Sequence, residues 1–132
     1  MIIDEAIYSL LSADPGIAAI VADRITPVVS LEGGDMPALT YLIVDSIRAY
    51  SLAGPSGVAR ARVQFDSWGN HYLDARRLAD AVRKAVSGFK GQIGGDAGVT
   101  IEGIFIEDKT APWEPQAKLY RAMQEAEVTY VE

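Results

Sequence analysis

A chain of 132 residues that is 49% hydrophobic and 23% charged has the composition of a single globular domain spanning 1–132. Folding at that length takes roughly 65–70% of the unfolded surface out of water, so neither disulfides nor a structural metal is needed. The absence of cysteine excludes thiolate metal centres and a cysteine nucleophile, and a net charge of -6 makes a duplex-binding surface the exception.

The longest unbroken apolar run, Ile17 to Ala22, is far shorter than the ~20 residues of a membrane span, and no basic residue precedes Arg24. Neither a transmembrane helix nor a signal peptide is expected. Ile3, Ile7, Leu10 and Leu11 keep the spacing of one helical face, with Asp4 and Glu5 where the helix dipole favours carboxylates, so a first helix is predicted over 3–12. Asp14-Pro15 ends it and starts a short second helix to about Ala22, with Asp14 as its cap. Arg24 to Val28 reads as a brief extended piece that Pro27 confines to an edge or a strand end, and Ser30 to Pro37 as loop.

Ala38 to Tyr50 is rich in β-branched and aromatic residues and predicts a strand whose first half is covered on both faces. Ser51 to Gly57 reads as a seven-residue turn, and Val58 to Trp68 as the returning strand of a β-hairpin. That strand alternates: Ala59, Ala61, Val63 and Phe65 on one side, Arg60, Arg62, Gln64 and Asp66 on the other. Asn70 is placed to cap a helix whose Ala75, Leu78, Ala79, Val82 and Val86 form an apolar stripe. The five glycines between Gly88 and Gly98 predict a mobile loop. Val99 to Asp108 follows as a strand, Ala111 to Gln116 as a second loop, and Leu119 to Val131 as the closing strand, with Ala122, Ala126, Val128 and Tyr130 inward. The order α-α-β-β-α-β-β predicts an α+β fold: a largely antiparallel sheet with a long hairpin, packed on one side by helices.

Candidate chemistry is sparse. A multi-histidine metal site fails by count, since His71 is the only histidine and reads as a solvated residue at a helix start. The stretch Gly88 to Gly95 lacks the Gly-Lys-Ser/Thr ending of a phosphate loop and lies between helix and strand, in the wrong order for one. The pairs Asp66 with Asp74 and Glu107 with Asp108 have no calcium-loop spacing and read as solvated charge. No catalytic, cofactor-binding or metal-ligating residue is therefore assigned. Arg60, Arg62, Gln64 and Asp66 read either as an exposed sheet face, as a charged surface facing another subunit or DNA, or as a buried ion-pair network. Trp113, between Pro112 and Pro115, reads as a loop anchor on its own domain or as an aromatic contact for a partner.

The ordered set Ile7 to Asp14, Asp23 to Pro27, Met36 to Tyr41, the hairpin segment Gly54 to Asp66, the helix Ala75 to Arg83 and the closing Leu119-Tyr120-Arg121 resembles the tail completion proteins (tail terminator or head-tail joining proteins) of long-tailed bacteriophages and their prophages. The resemblance implies a structural virion protein at the tail-head junction, assembled in the host cytoplasm. It implies a homo-oligomeric ring, typically a hexamer, that caps the tail tube protein and meets the head-tail connector protein. DNA would pass through its lumen without specific binding, and no catalytic residues, cofactor or membrane contact are implied. Interface candidates are Arg60, Arg62, Gln64 and Asp66 on the hairpin strand, then Leu52, Pro55 and Trp113 in the loops. A non-catalytic small-ligand or regulatory α+β domain remains as the alternative, to be recognised by a concave apolar pocket.

Overall fold

The computed structural model describes residues 1–27, 35–110, 112–116 and 118–132. The expected loop at Ser30 to Pro37 lies outside them through Gly34, as do Val28 and Ala111. Helix α1 runs Ile3–Ala13 and buries Ile3, Ala6, Ile7 and Leu11, while the Glu5 carboxylate accepts the Ile2 backbone N–H at 3.1 Å. Pro15 then opens α2 (Pro15–Val21), where the Asp14 carboxylate accepts the Ile17 N–H at 3.0 Å, the cap that the sequence predicts. Beyond α2 the chain is tied to the sheet by Arg24, whose guanidinium donates to the carbonyls of Pro37 (2.8 Å) and Ile20 (3.2 Å).

Among the described residues seven strands form one sheet: β1 (Ile25–Pro27), β2 (Ala38–Ser51), β3 (Gly54–Gly69), β4 (Gly91–Ile93), β5 (Val99–Asp108), β6 (Trp113–Glu114) and β7 (Leu119–Val131). The order across the sheet is β1-β2-β3-β7-β5-β4, with β6 also paired to β7. Every pairing is antiparallel except that of β1 with β2. The central pair, β3 with β7, stays in register from Val58↔Val131 to Gly69↔Tyr120.

Helix α3 (Tyr72–Val86) lies on β3 and β7 with Leu78, Val82 and Val86 fully buried. Small residues make this approach close: Ala59, Ala61 and Ala126 face the helices from the sheet, and Ala75 and Ala79 meet Ala122. Phe65, Val63, Val128 and Tyr130 complete the core on that inner face. Gly69 marks the entry to α3, because a Cβ there would stand 2.9 Å from both the Ala75 nitrogen and the Asp74 Cβ. The first half of β2, Ala38 to Tyr41, is buried on both faces as expected, and the rest of the strand is largely exposed.

Four local expectations are corrected. The hairpin turns at Leu52-Ala53 alone, because Ser51↔Gly54 and Tyr50↔Pro55 already pair and the Ser51 and Ser56 hydroxyls take up backbone groups that a longer loop would leave to water. The segment Gly88 to Gly98 is an ordered small hairpin: β4 pairs with Val99 to Ile101, and Gly94 and Gly95 supply the positive φ values (89° and 68°) of its reversal. In the expected loop at Ala111 to Gln116, Trp113 and Glu114 pair with Tyr120 and Leu119. His71, not Asn70, is the N-cap residue of α3, and it caps with its carbonyl, which accepts from Asp74 (3.1 Å) and Ala75 (3.3 Å).

Candidate interaction surface

Alternation along β3 turns Arg60, Arg62, Gln64 and Asp66 to the sheet face away from the helices, so these four residues share one surface. The surface is laced by ion pairs that cross three strands. The Arg62 Nε lies 3.1 and 3.0 Å from the two Asp45 carboxylate oxygens on β2, and its Nη1 lies 3.6 Å from Glu125 on β7. Arg60 reaches Glu127 at 3.5 Å on the same face, whereas Arg48, opposite the inward-facing Ala59, binds Glu132 at 2.7 Å on the helix side of the sheet. The hydrogen bonds from Arg62 hold the Asp45 carboxyl below the usual carboxylate range.

Asp66 differs from its neighbours. Half-buried between Thr40 on β2 and Met123 on β7, it accepts one hydrogen bond from Gln64 (2.9 Å), while its other oxygen is buried without a partner. Burial pushes its carboxyl above the ordinary value, against the opposing pull of the Gln64 hydrogen bond and of Arg121. The Arg121 guanidinium stands 5.5 Å over the Trp68 ring and binds Glu114 at 2.8 Å, which fastens β6 to the sheet.

The remaining candidates lie apart from this face. Leu52 and Pro55 are exposed at the hairpin tip, beyond the Val58 end of the central strand pair, beside the exposed Tyr50. Trp113 belongs to the other end, where β6 pairs beside Gly69↔Tyr120. Its ring packs on Tyr120 with centroids 4.9 Å apart, and Tyr72 meets Tyr120 edge-on at 6.0 Å. Trp113 is thus anchored on its own domain and still 46% exposed.

Two features escaped the sequence reading. Phe105, on β5 opposite Glu127, is 75% exposed on the same outer face, and its alternation with the buried Ile104 carried the only available signal. Gln124, 1% exposed, donates to the Ala79 carbonyl of α3 and to Asp108, both at 2.8 Å, and so joins helix and sheet. Among the described residues, no group of three or more His, Asp or Glu side chains is placed to hold a metal, and no helix is long and apolar enough to cross a membrane.

The fold has a counterpart among solved structures. A chain from the virion of native gene transfer agent (GTA) particle superposes with a TM-score of 0.73 at 18% identity, over 97% of this chain and 93% of that one. At that identity the match establishes the shared fold. Among curated proteins no match is found. The family model described as Tail completion protein gp17 matches residues 5–130, nearly the whole domain with both helical and strand elements included. The chain therefore belongs to the tail completion protein gp17 family, whose members are structural proteins of the bacteriophage tail.

Proposed function

We propose that this protein forms a ring, a hexamer in the reading the family supports, that caps the tail tube and joins it to the head connector. The family match over residues 5–130 carries the proposal. The surface supports it too, because a heterologous contact of a growing tube continues until a differently shaped ring occupies its end. A subunit with that task needs one surface for its neighbours and one for each ring partner. The outer sheet face with Arg60, Arg62, Gln64 and Asp66 serves the neighbour, and the exposed groups at Leu52, Pro55 and Trp113 serve the tube and connector proteins. DNA passes through the lumen without specific binding, consistent with an acidic chain of net charge -6. Function is exercised in the virion at the tail-head junction, after assembly in the host cytoplasm, and by shape rather than catalysis.

Deletion of the gene in its phage tests this. Lysates are expected to contain filled heads and unjoined tails under the electron microscope, and purified protein added to them is expected to restore joined particles. Normal joined particles from the deletion would eliminate the joining role.

A further inference from the structure

Two patches on opposite sides of the subunit present, respectively, an exposed aromatic ring among carboxylates and an open groove beside cations. On the outer sheet face Phe105 stands among Glu107, Glu125 and Glu127, and no side chain of its own subunit covers it. Each of these carboxylates has one cation nearby: Lys109 is 3.2 Å from Glu107, Arg62 3.6 Å from Glu125 and Arg60 3.5 Å from Glu127. On the helical side α2 and α3 flank an open groove of about 540 Å³ lined by Pro15, Gly16, Ile20 and Ala81 together with Arg77 and Lys84.

Two basic and two acidic side chains line the groove, and α3, which forms one of its walls, carries an excess of basic residues. Asp14 and Asp80 also line it, but Asp14 is engaged in capping α2, and Asp80 is bound by both Arg83 (2.7 Å) and Lys84 (3.0 Å). Arg77 pairs with no carboxylate among the described residues, and α3 carries Arg76, Arg77, Arg83 and Lys84 against Asp74 and Asp80. Chains of net charge -6 repel one another at long range, so a contact between copies must set unlike local charge face to face.

We infer that Phe105 of one copy seats in the α2–α3 groove of the next, with Glu107, Glu125 and Glu127 facing Arg77 and Lys84. The occupant of the groove is a second copy of this chain. Because the two patches differ and lie on opposite sides, the contact is head-to-tail, the kind that closes a ring. The inference rests on the ring reading above and names its neighbour contact: the aromatic ring supplies the desolvated anchor and the charges fix register.

Native mass spectrometry and sedimentation of the full chain test it. The wild type is expected to self-associate, and Phe105→Ser to require at least about tenfold more protein for the same association. Arg77→Glu with Lys84→Glu, and separately Glu107→Lys with Glu125→Lys, are expected to dissociate the assembly, while all four changes in one chain restore it. Restoration cannot come from a misfolded subunit, so it separates lost contact from lost fold. A monomeric wild type at hundreds of micromolar, an unaffected Phe105→Ser variant, or a fourfold variant that stays dissociated would each overturn the contact. If added wild-type protein still restores joining in such a case, the joining role stands and only this contact falls. If the contact variants behave as expected and joining is not restored, the reverse holds.

Discussion

Single side chains divide here into those spent on the fold and those left over from it. Asp66 belongs to the first group at a cost, because its carboxylate is half-buried with one oxygen unpartnered and its protonated form is favoured by burial. A carboxyl whose folded pKa is raised helps the native state below the unfolded value of about 3.9, and that help is lost as pH rises through the folded value. Asp66→Asn keeps an acceptor for the Gln64 amide and removes the buried charge. The variant is therefore expected to exceed the wild type in thermal midpoint at neutral pH and to converge with it below about pH 4, where both side chains are neutral. Midpoints measured from pH 3 to 8 check this, and a wild type that is more stable at pH 7 would show that the ionised carboxylate is satisfied in solution. Nothing in the sequence marks Asp66 out from Arg60, Arg62 and Gln64, since alternation assigns a face and not a depth. The depth comes from Thr40 and Met123 on strands far apart in the chain.

At the scale of elements, legibility follows the length of the periodic signal. Helix α3, with apolar residues at helical spacing over four turns, is readable to within a residue or two, and so is β7; β3 is readable at its Trp68 end but begins at Gly54, four residues before the expected Val58. Strands β4 and β6 have two or three residues each, too few for any period, and they exist because a neighbouring strand offers its edge, whereas the equally short β1 falls inside the extended piece that Pro27 marks for a sheet edge. The hairpin turn was overestimated for a similar reason: Gly, Pro and Ser mark turns in isolation, but here Gly54 and Pro55 pair with Ser51 and Tyr50 while only Leu52 and Ala53 reverse the chain. The parallel pairing of β1 with β2 was not legible either, since side-chain alternation carries no strand direction. For α3 the reading has an energetic consequence. Leu78 is fully buried against the sheet, so Leu78→Ala is expected to lose about 2–5 kcal/mol of stability in a denaturant titration. A loss under about 0.5 kcal/mol would mean that α3 does not press this side chain into the core.

Seen as a whole, the molecule is a bar: β3 and β7 stay paired from Val58↔Val131 to Gly69↔Tyr120, about 36 Å at the usual rise per residue. Exposed apolar groups stand at both ends of that bar, with Tyr50 and Leu52 past the first and Trp113 past the second. Neither end belongs to the buried core, because Leu52 is fully exposed and Trp113, packed on Tyr120, is still 46% exposed. The two ends can therefore be altered separately without unfolding the domain. If the strands run along the tail axis, one end meets the tube and the other the connector, and the two functions separate by mutation. Leu52→Ser and Trp113→Ser are each expected to leave the unfolding midpoint within about 0.5 kcal/mol of the wild type. In lysates lacking the native protein, one variant is expected to bind tails without joining heads, and the other to fail at the tail itself. Tails recovered by sedimentation and probed for bound protein distinguish the two. Should both variants restore joining as well as the wild type, the bar's ends carry no partner and assembly must use the sheet and helix faces alone.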